Sequence, residues 1–179
     1  GRTVPVLVTD LGVFPDSTDI LHFVDSRHGA ETPLYPADPD LRSEVEDLEE
    51  LFDTRLGPHS RRLAYFYLLP ERNLLFETVF DGVSRGDRVL FRSTFPLIRG
   101  LMRKGMRINE ESAKHSADRV REVFGTVTDL LADGRRYLVG ERFSAADLSF
   151  AALAGPVLLP RGYGCRLPSL ADLPAPLLP

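Results

Sequence analysis

The chain has no tryptophan and one cysteine, Cys165, in 179 residues. A single cysteine cannot close an internal disulfide, so packing and hydrogen bonds must hold the fold, as in a reducing, cytoplasmic setting. Lysine is nearly missing too: Lys104 and Lys114 are its two occurrences, and arginine carries almost all the positive charge. The longest apolar run, roughly Phe150 to Leu159, is about half of what a membrane span needs. The net charge of −4 gives no surplus of positive charge to attract nucleic acid or acidic lipid. His22, His28, His59 and His115 lack the spacing of metal ligands, so no metal is expected. The stretch "GLMRKGMR" lacks the GK[ST] ending of a phosphate loop, and no G-x-S-x-G marks a hydrolase elbow.

What is present is ordinary globular composition, 43% hydrophobic and 27% charged, enough for one or two small domains with a sizeable core. Val4, Val6 and Val8 alternate as a short strand, with Pro5 confined to an edge, bulge or turn because it cannot donate to a ladder. Thr9 to Gly12 reads as a turn and Val13-Phe14 as a return strand. A helix starts at Asp16, carries Ile20, Leu21, Phe23 and Val24 as its apolar stripe, and stops at Gly29. A proline-containing linker follows. From Asp38 onward the pattern is helical. Asp38 is an N-cap with Pro39 at the first helical position, where its missing N–H costs nothing. Leu41, Val45, Leu48 and Phe52 fall on one face. Gly57-Pro58 is expected to kink or restart the helix. Further helices are expected over roughly 61–69, 73–83, 86–103 (through Pro96) and 110–132, with Gly134 as the last one's stop.

Two stretches carry sharper signals. In "GERFSAADLSFAAL", Ser144 and Asp147 have the spacing of a capping box, with Phe143 and Leu148 at the hydrophobic-staple positions. The apolar residues that follow predict a buried helix. In "FPDSTDILHF", Asp16 and Ser17 stand at a helix start, where free amides favour an anion. Local capping explains the same residues without any ligand.

Taken in order, "TVPVL", "FPDSTDI", the linker "LYPADP" and "YLVGERFSAADLSFAAL" resemble the glutathione transferase superfamily over roughly residues 2 to 160. The resemblance implies an α/β plus all-α chain: a partial thioredoxin-like, glutathione-binding domain over 1–30, a linker over 31–37, and an all-helical bundle over 38–179. It implies that Val4, beside a cis Pro5, pairs with the cysteinyl main chain of glutathione. Asp16 would take the γ-glutamyl ammonium, and Ser17 with the helix amides its carboxylate. Family members commonly have glutamate at the position of Asp16. The residue that activates the thiol in that family, a Tyr, Ser or Cys, is expected upstream of this chain, so no catalytic residue is assigned. Glutathione would be co-substrate and a small electrophile the second substrate, in a homodimer. A transferase-like scaffold without catalysis is the other reading. Tyr65 and Tyr67 could line an electrophile pocket or pack in the core.

Two charge blocks remain. Arg88, Arg92, Arg99 and Arg103 share one helical face, near Arg85, Lys104 and Arg107. They read either as an anion-binding face or as a solvated one. The helix after Asp38 is acidic from Asp40 to Asp53, and the two faces could meet within the chain or across a dimer.

Overall fold

The computed structural model describes residues 5–28, 31–79 and 84–160. Strands β1 (Leu7–Thr9) and β2 (Gly12–Phe14) form an antiparallel hairpin, pairing Leu7 with Phe14, Val8 with Val13 and Thr9 with Gly12. Thr9 closes the turn: its hydroxyl accepts from the Leu11 amide and donates to the Gly12 carbonyl. Among the described residues seven α-helices follow: α1 (Ser17–His28), α2 (Pro39–Leu51), α3 (Gly57–Leu68), α4 (Arg72–Val79), α5 (Arg85–Gly105), α6 (Glu110–Leu130) and α7 (Ala145–Leu158). The chain is therefore mostly helical after a small two-stranded start. None of the described helices is long and apolar enough to cross a membrane.

The chain divides into two compact units, one of residues up to 51 with 127–150, the other of 52–126 with residues from 151 on. In the first unit, Phe14 of the hairpin packs on Phe23 of α1, the ring centroids 4.4 Å apart and the planes tilted by 35°. The opposite face of the hairpin is open, with Val8 and Val13 at 70% and 62% exposure. Asp38 caps α2 as its spacing predicts, accepting from the amides of Asp40 and Leu41. Val45 and Leu48 of the α2 stripe are buried, while Leu41 stays at the surface.

The loop at Leu34 ties this unit together. Its amide donates to Asp25 of α1 at 2.6 Å, and its carbonyl accepts from Ala145 at the start of α7. Tyr35, next along, is buried between the His22 ring at 4.1 Å and the Arg42 guanidinium at 5.4 Å. Burial first, and the neighbouring Glu49 carboxylate second, push the Tyr35 phenol well above its ordinary range, so it stays protonated.

Asp147 anchors the start of α7. One oxygen accepts from both the amide and the hydroxyl of Ser144, each at 2.9 Å, and the other accepts from the Leu138 amide at 2.9 Å. The box forms, but the Ser144 hydroxyl donates to the carboxylate, where the spacing suggests that it accepts from the Asp147 amide. Phe143, at the expected staple position, is nearly half exposed and lies edge-on to Tyr137. Burial along α7 is also uneven, with Ala145, Ala146 and Ala154 fully enclosed and Ala151 and Ala152 at the surface. Side chains this small are covered or left open according to what lies opposite.

In the second unit, helix α3 restarts at Gly57 behind a π-helical turn over Phe52–Leu56. Such a turn bonds amides to carbonyls five residues back, which re-registers the ladder ahead of Pro58, a residue with no amide to offer. Phe52 and Leu56 of this turn are fully buried. Gly57 is closely approached: a Cβ there would lie 3.1 Å from Leu153 Cδ2, so the leucine side chain would have to shift. The core of this unit joins Leu69, Leu75, Phe76, Phe95 and Ile108. Phe76 meets Phe95 edge-on at 5.1 Å, and Arg72 and Arg92 lie over these rings.

Helix α5 starts one residue before its expected start and continues through Pro96. Ser84 and Asp87 form a second capping box: the Asp87 amide donates to the Ser84 hydroxyl, which donates to the Asp87 carboxylate. The lone acid in this basic stretch thus has a structural use. Helix α6 begins with a reciprocal Asn109–Ser112 pair and ends at Leu130, two residues short of the expected end, before Gly134 at φ 84°.

The α3 and α6 helices are joined by a polar contact. Arg62 donates to the Met106 carbonyl and to the Ser116 hydroxyl, which lies 3.1 Å from His59 Nδ1. A guanidinium cannot accept, so the Ser116 hydroxyl accepts from Arg62, while the direction of its contact with His59 Nδ1 is set by the imidazole tautomer. Burial, followed by the charges of Arg62, His115, Arg119 and Arg55, lowers the His59 value.

Two outcomes follow from these contacts. Asp147→Ala should lose about 2–3 kcal/mol in urea unfolding at neutral pH, and Ser144→Ala about 1 kcal/mol, because a partly buried carboxylate accepts three hydrogen bonds. Equal, near-zero losses would show that the box is not structural. In the unfolded chain His59 titrates near 6.5, above its folded value. The stability that neutral His59 contributes is therefore complete above about pH 6.5 and declines as pH falls below it. The urea midpoint should drop from pH 7.5 to 5.5, and His59→Asn should flatten that slope.

Candidate functional site

Two regions carry chemistry, one in each unit. In the first, the hairpin delivers the chain through Pro15 to the start of α1. Asp16 is exposed and acts as the N-cap: its Oδ1 accepts from the Thr18 amide at 2.9 Å, and its carbonyl accepts from Ile20. Ser17 is half-buried at the first helical position. Among the described residues its hydroxyl has no hydrogen-bond partner. The helix start thus presents its first amides, a hydroxyl and a carboxylate together. That combination can receive a ligand bearing both a carboxylate and an ammonium group. Pro5 is exposed ahead of β1. Val4 lies outside the described residues, as does Cys165.

The second region is a cavity of about 680 Å³ between α3, α5 and α6. Its apolar lining comes from Leu63, Phe66, Leu69, Ile108, Ala113 and Ala117. Tyr67 also lines it, whereas Tyr65 packs against the aromatic core. Arg99 and Arg103, one turn apart on α5, border it together with Lys114 and Arg121 of α6. The acids there are Glu71, Glu110 and Asp118, of which Asp118 pairs with Arg121 at 2.8 Å.

The arginine face is thereby divided. Arg92 covers the Phe76 ring, and Arg99 and Arg103 border the cavity. Helical periodicity places all of these residues on one face but does not say what lies opposite each. The cavity itself was not foreseen. The one available signal was the conjunction of basic α5 residues with an apolar stretch, Leu63 to Leu69, ending at a proline.

Other constellations do not assemble into a catalytic site. The Ser116–His59 contact resembles a nucleophile with its base, but Ser116 is fully buried and its oxygen accepts from Arg62. Among the described residues no group of three or more His, Cys, Asp or Glu could hold a metal ion. Ser144 and Asp147 are occupied with one another and with Leu138.

Residues 83–174 match the family model described as glutathione S-transferase, C-terminal domain. The fold is similar to that of a glutathione S-transferase from Methylobacterium radiotolerans JCM 2831, solved in complex with glutathione sulfonate. The two share 18% identity with a TM-score of 0.53, over 87% of this chain and 57% of that one. This chain thus spans little more than half the length of that relative. Comparison with curated proteins gives no match.

Proposed function

We propose that this chain, which belongs to the glutathione transferase superfamily through its helical C-terminal domain, is part of an enzyme in which the thiolate of glutathione attacks a small apolar electrophile. The start of α1 is the observation that carries this reading. Asp16 would accept from the γ-glutamyl ammonium, and Ser17 with the first helix amides would hold the adjacent carboxylate, since a helix N-terminus favours anions. Val4 and Pro5 would meet the cysteinyl backbone. In this reading residues 1–30 belong to a thioredoxin-like glutathione-binding domain, 31–37 are a linker and 38–179 are the helical domain. The open Val8–Val13 face of the hairpin is apolar surface that the rest of such a domain would cover. The solved relative, of which this chain covers 57%, was captured with a glutathione derivative, which supports glutathione as co-substrate.

The chemistry requires a group that lowers the thiol pKa, because the thiolate is the nucleophile. In this proposal a Tyr, Ser or Cys preceding Val4 supplies it. The sulfur would form a bond to the electrophilic carbon while the leaving group departs with its electron pair. A cytoplasmic homodimer completes the proposal, consistent with the single cysteine.

The full-length protein should be retained on immobilised glutathione and released by the free tripeptide. Ser17→Ala should weaken retention roughly tenfold or more, the loss expected for one hydrogen bond to a charged group. This variant leaves the Asp16 cap in place, so its melting temperature should hardly change. If the parent protein is not retained and Ser17→Ala alters nothing, the reading fails. Retention without turnover of any electrophile would mark a scaffold that binds glutathione without catalysis.

A further inference from the structure

We infer that the outward face of α5 docks on a lipid bilayer with acidic headgroups, as a helix that lies in the interface without crossing it. This goes beyond the glutathione reading, because every residue involved lies in the second unit and none takes part in the contacts proposed at the start of α1.

Helix α5 has two apolar faces, although a helix on a protein surface needs only one. Phe91, Phe95 and Met102 turn inward to the aromatic core. Val89, Leu90, Leu97 and Leu101 share a separate sector of about 120° of the helix. All four stand between 63% and 69% exposed, so this second face packs on nothing in its own unit. The polar residues among them do not bar it from an apolar medium. The Ser93 hydroxyl donates to the Leu90 carbonyl at 2.7 Å, and the Thr94 hydroxyl to the carbonyls of Leu90 and Phe91. With those protons bonded inside the helix, the stripe can leave water without orphaned hydroxyl donors.

Charge selects the partner. The net charge of −4 is an average over the chain, and α5 departs from it. Between Arg85 and Arg107 there are seven cations and one acid, Asp87, whose carboxylate accepts from the Ser84 hydroxyl. Arg103 and Lys104, both exposed, adjoin Leu101. Their long stems let the cations reach headgroups while the leucines enter the acyl boundary. Acidic headgroups attract cations held near them. Nucleic acid would answer the cations but leave the aliphatic stripe in water. Protein hot spots favour rings seated in pockets, and these four side chains include no ring. None of the described helices is long and apolar enough to cross a membrane, so α5 lies on its surface.

Co-sedimentation of the full-length protein with vesicles tests this. Vesicles of phosphatidylcholine with roughly one part in three phosphatidylglycerol should bind it, at least tenfold more tightly than phosphatidylcholine alone. L97Q/L101Q keeps every charge and should weaken that binding roughly tenfold or more. R103Q/K104Q keeps the stripe and should weaken it by a similar factor. R136Q/R142Q removes the same charge from the first unit and should bind as the wild type does. All the altered residues are on the surface, so circular-dichroism spectra and melting temperatures should match. The inference is overturned if the wild type binds neither kind of vesicle or binds both equally. It is also overturned if all three double variants weaken binding alike, which would make the effect one of general charge. Vesicle binding that survives L97Q/L101Q, with a short DNA duplex competing for it, would make the face a site for polyanions and overturn it too. So would a wild-type dimer that L97Q/L101Q turns into monomers without changing vesicle binding, which would assign the stripe to a second copy of the chain. Glutathione is absent throughout, so none of these results bears on retention by immobilised glutathione.

Discussion

The carboxylate of Asp147 is the point on which the first unit converges. It accepts from Ser144 twice and from Leu138 once, so one side chain fixes both the start of α7 and the loop before it. Ala145 then donates to Leu34, whose own amide is held by Asp25 of α1. Segments separated by more than a hundred residues are joined through backbone groups that would otherwise be buried without partners. The first alanines of α7 are completely enclosed, so water cannot replace the cap. A carboxylate suits this place because it accepts several hydrogen bonds and carries the charge that a helix N-terminus favours.

The second unit solves its backbone problems differently. Pro58 removes an amide, and the π turn before it lets the helical path continue. Gly57 gives up a side chain so that Leu153 can approach. The core mixes aromatic rings with arginine, whose guanidinium can lie over a ring and still reach water. The same preference for arginine supplies the edge of the cavity. His59 lies beside Arg62 through the shared Ser116 hydroxyl, and burial followed by the Arg62 charge favours the neutral imidazole.

Much of this was legible beforehand where the signal was short-range. The Asp16, Asp38 and Ser144 helix starts, the hairpin and the restart at Gly57 all follow from residues a few positions apart. The Ser84–Asp87 box has the same spacing as Ser144–Asp147 and was readable too, but the expected start at Gly86 passed over it. Phe143, at the expected staple position, lies edge-on to Tyr137, a neighbour that the staple spacing does not name. The arginine periodicity was visible, yet periodicity distributes residues around a helix and leaves open whether a face meets rings, a cavity or solvent. The ligand roles of Asp16 and Ser17 came from the family resemblance, since capping explains the same local pattern.

From sequence alone came membership in the superfamily, the mostly helical class and the helix starts, because caps, prolines and apolar spacing act within about one turn. Only the tertiary structure decided that Asp147 also holds Leu138, that Ser116 lies between His59 and Arg62, and that Arg99 and Arg103 border a cavity while Arg92 covers a ring. Those outcomes depend on which distant groups are brought opposite one another. Burial and long-range hydrogen bonds exist only once those partners are in place.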